Sequence, residues 1–182
     1  MSSATVTSIP QGTWSIDPSH SSVEFTVKHM GIATVRGQFT KFEGTIESDG
    51  ERASVTGNVD ASSLTTHNAQ RDEHLNSNDF FGVEEHPQIT FRADSIELDD
   101  DGSVTIPGEI TLRGVTKPIE LTGDFAGGGV DPWGNERVGL EVSTKIDRRD
   151  FGLEWNQSLA SGGLLVSNNV TLLVSAQAVK GA

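Results

Sequence analysis

The residues best suited to chemistry in this chain are a few histidines and arginines set among apolar runs. The segment Val23-Glu24-Phe25-Thr26-Val27-Lys28-His29 alternates apolar and polar residues, and His29 falls in an apolar slot. A strand alternates faces with a period of two, so His29 shares a face with Val23, Phe25 and Val27. An imidazole there serves in one of two ways. It is a core histidine bonded to a nearby carbonyl or side chain, or it is a polar handle for a ligand head group. Arg71 lies one turn from His74 and beside Asp72, in a segment with helical character. Arg113 and Lys117 flank a turn, and Arg148-Arg149 precede Asp150-Phe151-Gly152. Ion pairing with local acids is one fate for each of these cations. Arginine is also the planar donor suited to a diphosphate or carboxylate, and Arg71 is the candidate singled out for that use. Asn156, next to Trp155, sets an amide beside an apolar wall.

Other chemistry lacks its markers. His20, His67, His74 and His86 form no tight metal-ligand pair, and the chain has no cysteine. The HExxH, GxSxG, GxxxxGK[ST] and strand-linked GxGxxG patterns are all missing. No catalytic set, metal site or cofactor is therefore expected. A net charge of −13 over 182 residues argues against nucleic-acid binding and against electrostatic docking on anionic lipid. Residues 1–10 carry neither a basic nor an apolar region, and no apolar run is long enough to span a bilayer. The expectation is a cytoplasmic protein with no stable membrane insertion.

The elements that must hold these residues read as strands. Alternating segments fall at about 22–30, 33–47, 52–61, 88–98, 103–112, 117–126, 136–147 and 164–179. Turn signals such as Ser48-Asp49-Gly50 and Gly127-Gly128-Gly129 join most of them, and short joins imply an antiparallel meander. The spacing predicts an all-β, eight-stranded antiparallel barrel, with a two-sheet sandwich as the rival. Within 33–47 the apolar phase slips between Phe39 and Phe42, which predicts a β-bulge. Residues 62–87 break the pattern and predict one short helix capped by Thr65 or Thr66, closing an end of the barrel. One domain over 12–180 and a flexible tail at 1–11 are expected.

Glycines recur on the apolar faces, at Gly37, Gly44, Gly57, Gly108 and Gly123. They either relieve crowding where strands coil, or leave room for a slim apolar ligand.

The run Trp14-Ser15-Ile16-Asp17-Pro18-Ser19-His20-Ser21 and the segment through His29-Met30-Gly31 resemble the start of the YceI-like family of polyisoprenoid-binding proteins. Arg71-Asp72-Glu73-His74-Leu75, with Phe80-Phe81 after it, resembles that family's RDxHL…FF signature. Pro87-Gln88-Ile89-Thr90-Phe91, Leu112-Arg113-Gly114-Val115-Thr116-Lys117-Pro118 and Arg149-Asp150-Phe151-Gly152-Leu153 are further matches. The resemblance implies an extended lipocalin-like barrel that holds an isoprenoid chain, often as a homodimer, for carriage or storage and without catalysis. With the alternation and the glycines, it assigns Phe25, Val27, Phe39, Phe42 and Phe91 to the tube wall. His29, Arg71 and Asn156 fall to the head group, and Phe80, Phe81 and Trp155 to the entrance. Two rivals stand beside this reading: a barrel enzyme using His29 as base, and a filled scaffold that binds a protein.

Overall fold

The apolar alternation becomes an antiparallel sheet that closes on itself. The computed structural model describes residues 8–181. In chain order the strands are β1 (Gly12–Ile16), β2 (Ser22–His29), β3 (Ala33–Phe39), β4 (Phe42–Ser48), β5 (Ala53–Asp60) and β6 (Leu64–Thr65). After the helix α1 (Ala69–Asn76) come β7 (Gln88–Ala93), β8 (Glu97–Leu98), β9 (Ser103–Leu112), β10 (Val115–Val130), β11 (Glu136–Asp147) and β12 (Val166–Lys180). Eight of them form a ring in the order β1-β4-β5-β7-β9-β10-β11-β12, and β12 returns to β1 through Trp14↔Lys180 and Ile16↔Ala178. The expected eight-stranded antiparallel barrel is thus present, although its first strand, β1, lies outside the segments read from the sequence.

Two broken strands give the barrel unlike ends. β12 pairs with β11 along one edge; along the other it meets β1 near Lys180 and β2 from Ser175 to Val166. A 3-10 turn at Pro18–His20 separates β1 from β2, with Pro18 fixing the bend and the Asp17 carboxylate accepting from Ser19 N. In the same way β4 pairs with β1 while β3 pairs with β2. The segment 33–47 is therefore two strands and not one bulged strand. At the break, Thr40 N donates to Ser63 O and Lys41 N to Ser63 Oγ, so the slip in phase marks a change of partner. One end of the barrel is hydrogen-bonded all the way round. At the other, β3 finds only β6 beyond it, through Gln38↔Thr65 and Phe39↔Leu64, and the 61–87 insertion covers the gap.

Other expectations need local correction. Gly127, Gly128 and Gly129 are not a turn; they pair with Gly139, Val138 and Arg137 inside β10–β11, just past a register shift at Phe125. The turn comes at Asp131–Asn135, where Asp131 Oδ1 accepts from Trp133 N and Asn135 N. The helix cap is Asn68, which accepts from Arg71 N, and not Thr65 or Thr66. Thr66 instead donates its hydroxyl to Asp72 at 2.5 Å. Of the expected flexible tail, residues 1–7 lie outside the described residues. Ile9 is buried at 2 % exposure, and its carbonyl accepts from Ser48 Oγ. No helix among the described residues is long and apolar enough to cross a membrane.

The fully bonded end is also chemically tied. Trp14, 1 % exposed, fills it and donates Nε1–H to Pro10 O at 3.0 Å. Arg137 links three elements there: it reaches Asp17 at 2.9 Å, Asp131 at 2.8 Å and Gln177 Oε1 at 2.8 Å. The guanidinium holds both carboxyls well below the usual carboxylate range. A depressed carboxyl contributes stability that is complete above the unfolded value and is lost as pH falls through the folded one. We expect urea midpoints of the wild type to fall steeply below about pH 4. Arg137→Met should lower the midpoint at neutral pH and flatten that acid limb; equal slopes in the two proteins would show that the network contributes nothing.

Candidate ligand cavity

Side chains fill the two halves of the barrel differently. Around Trp14 the inward residues Ile46, Val104, Ile106, Val138 and Ala178 pack a solid core. Toward the split end, Phe25, Phe39, Leu64, Phe80, Ile110, Phe151 and Leu153 form a second cluster. Between and within these clusters lies a cavity of about 410 Å³, in the range of small-molecule sites. Its wall is almost wholly apolar, with Val23, Val27, Phe91, Ile119, Leu140, Val142, Leu172 and Val174 among the lining residues. It reaches the surface at the split end, beside α1, where the exposed Lys28 and Arg71 join the wall with His74, Trp155 and Leu165.

The inward glycines divide by what lies over them. Gly44 and Gly57 are directly opposed across β4–β5, and both line the cavity. A Cβ on Gly57 would meet nothing nearer than Glu43 O at 3.8 Å, so this stretch of wall is hollow because side chains are missing. Gly37 is covered by the ring of its cross-strand partner Phe25, and Gly108 by the ring of Phe91 and the Arg92 carbonyl. Gly123 is pressed against the β11 backbone. On Gly44 a Cβ would meet the Ile16 side chain at 2.9 Å, so space for a ligand is the reading for Gly57 only; the other four glycines allow close packing.

Of the residues named from the sequence, Phe25, Val27, His29, Phe39, Phe42, Arg71, Phe80, Phe81, Phe91 and Trp155 all contribute to the wall. Phe81 joins Phe25 and Phe39 at centroid distances of 6.3 and 5.9 Å. At the mouth Trp155 meets His74 at 4.7 Å and Phe80 at 5.5 Å. The ring of His29 makes no hydrogen bond among the described residues, so the satisfied core histidine is not what forms. Arg71 is tied to Thr66, through Nε to Oγ1 at 2.7 Å and Nη2 to the carbonyl at 2.8 Å. Asn156 is not among the residues that line the cavity. Its amide donates to Val166 O at 2.7 Å and accepts from Val166 N and Gln157 N, which consumes it in pinning the 156–166 loop.

The residue that sequence reasoning passed over is Arg148. It is 3 % exposed, lies on the cavity wall and has its guanidinium 6.0 Å from the Phe80 centroid. It donates only to carbonyls, of Leu153 at 2.6 Å, Ser167 at 2.9 Å and Val166 at 3.4 Å. The neighbouring carboxylate of Asp147 is bound by Arg149. Burial pushes the Arg148 guanidinium below its ordinary value; the nearby Asp147 charge offsets this in part, but Arg148 forms no ion pair among the described residues. Donors on Nη1 and Nη2 remain for a ligand. The signal was available: Val138, Leu140, Val142 and Ile146 face inward along β11, and Arg148 continues their parity.

A closed antiparallel barrel with an apolar cavity open at one end is a lipocalin-like architecture. Residues 14–178 match the family described as the YceI-like domain, and the chain belongs to that family. It is similar to protein YceI of Escherichia coli O157:H7, with 36 % identity over 166 residues that cover 88 % of this chain and 82 % of the relative. Burkholderia cenocepacia BcnA has the same fold, with a TM-score of 0.77 and 18 % identity over 89 % of this chain and 98 % of that one. A polyisoprenoid binding domain from Saccharophagus degradans superposes with a TM-score of 0.70 and 16 % identity, covering 94 % of this chain and 100 % of that one.

Two expectations test the geometry. Gly57→Leu should fill empty space and leave the melting temperature nearly unchanged, whereas Gly108→Leu should cost about 1–3 kcal/mol through overpacking against Phe91. Equal losses would mean that the wall at Gly57 is not hollow. Arg148→Met should cost about 1.5–3 kcal/mol in urea unfolding, because buried carbonyls lose a charged donor.

Proposed function

We propose that this chain binds a long-chain isoprenoid lipid, a polyprenyl diphosphate or a quinone-like molecule, inside the barrel, and that it carries or stores it without catalysis. The observation that supports this most is the apolar cavity of about 410 Å³ with the buried Arg148, which forms no ion pair among the described residues, in its wall. Membership of the YceI-like family supports the same reading, and so does the fold shared with the Saccharophagus degradans polyisoprenoid binding domain. Each methylene of a buried tail contributes about 0.8 kcal/mol, so a partly inserted chain binds firmly. The tail takes the space beside Gly44 and Gly57, between Phe42, Phe91 and Leu172. The head group stays near the mouth, with Arg148 as its donor and with His29 and Arg71 at the rim.

An enzyme working through His29 has less behind it. A general base needs an orienting partner, and the His29 ring has no hydrogen bond among the described residues. The proposal includes a pair of copies as the carrying form, which light scattering of the purified chain checks.

Native mass spectrometry tests the binding. Delipidated protein should gain the mass of one added polyprenyl diphosphate or ubiquinone, and Gly57→Leu should reduce the occupied fraction. A spectrum that neither addition changes would sink the proposal.

A further inference from the structure

The mouth of the cavity adjoins a surface unlike the rest of the molecule. Between Glu24 and Glu43 there is no Asp or Glu, and there is none after Glu154, although the chain holds 26 of them. These two acid-free stretches meet. The β2–β3 hairpin tip and the 156–165 loop are joined by Met30 N donating to Leu165 O at 2.8 Å, and His29 pairs with Val166. From this joined tip project Ile32, 81 % exposed, Met30 at 44 % and Leu164 at 43 %. Beside them on the outer face of the hairpin stand Lys28 and Arg36. Lys28 bonds only the Thr34 hydroxyl, at 2.8 Å, and neither cation makes an ion pair among the described residues. Lys28, His29, Leu165 and Val166 also line the cavity, so tip and mouth are continuous.

We propose that this tip docks on a lipid bilayer bearing anionic head groups, with Ile32, Met30 and Leu164 entering the interface and Lys28 and Arg36 meeting lipid phosphates. Apolar side chains set among cations are the composition of reversible interfacial binding. The net charge of −13 alone argues against such contact, but the charge is not spread evenly. The acidic remainder of the molecule is repelled from an anionic surface and turns the acid-free tip toward it. Docked in this pose, the cavity opens onto the membrane, and an isoprenoid crosses between bilayer and barrel without exposing its tail to water. Only that transfer step rests on the function proposed above; the docking stands on the surface alone.

Flotation of the purified chain with phosphatidylcholine–phosphatidylglycerol vesicles free of isoprenoid tests the docking. At low salt the wild type should float with the vesicles, and the bound fraction should fall as salt rises. Lys28→Glu should reduce partitioning by about fivefold or more, since one lost cation is equivalent to ~1 kcal/mol. The Ile32→Ser/Leu164→Ser pair should reduce it as well, with melting temperatures unchanged because these side chains are exposed. Val130→Ser/Trp133→Ser removes the exposed apolar residues of the β10–β11 turn at the opposite end and should leave flotation intact. The proposal is overturned if the wild type does not float, or if the distal pair reduces flotation as much. It is also overturned if the tip variants change the oligomeric state and not vesicle binding, which would make the tip a contact between copies. Failed flotation with intact uptake of isoprenoid from detergent removes the docking and leaves the carrier in place; the reverse result removes the carrier and leaves the docking.

Discussion

A short strand closes the sheet, and its position decides which end of the barrel is solid. β1 contributes five residues, yet it bonds to both β4 and β12 and leaves no free edge at that end. Trp14 stands in the middle of it and plugs the interior. Because β1 is split from β2, and β4 from β3, the same pair of strands that seals one end diverges at the other. A barrel of this strand number has room inside for little beyond its own side chains. A ligand space therefore has to come from divergence of the strands or from missing side chains, and both are present here. The 61–87 insertion lies over the divergent end, and Gly44 opposite Gly57 thins the wall below it.

The polarity of the cavity follows from how its few polar groups are held. Arg71 and Asn156 are the kinds of residue that bind head groups, but two Arg71 donors go to Thr66, and the Asn156 amide is engaged by Val166 and Gln157. Arg148 is held just as firmly, yet by carbonyls alone, and it forms no ion pair among the described residues. A cation kept in an apolar setting favours an anion or a strong acceptor more than the same group would in water. Its neighbour Phe80 packs edge-on against His74, which in turn meets Trp155 edge-on. The asymmetry between a greasy interior and one charged patch near the opening orients any amphiphile that enters.

Charge has a second distribution on the outside. Acidic residues cover most of the chain and account for its low isoelectric point of about 4.6. Asp17 and Asp131 are spent on Arg137 at the sealed end, far from the mouth. The long neutral run through β12 forms one wall of the barrel and flanks the hairpin tip. Composition alone describes the average of these surfaces, and it is the difference between them that gives the molecule a direction.

Period-two alternation is local, which is why the sequence by itself determined most strands, the antiparallel barrel and the inward side of β2, where Phe25, Val27 and His29 do line the cavity. Motif order likewise pointed to the family. The places that were not legible are those where the partner changes while the pattern does not. Thr40-Lys41 reads as a bulge because alternation records the buried face and not the neighbouring strand. The triple glycine reads as a turn because glycine serves turns and tightly twisted strands alike. β1 is too short for alternation to reveal, yet it closes the ring. Only the tertiary structure decided that Gly57 faces empty space while Ile16 lies over Gly44 and rings cover Gly37 and Gly108. It alone decided that Arg148 carries the buried charge, since which cation is buried without an ion pair depends on the carbonyls and carboxylates that folding brings beside it.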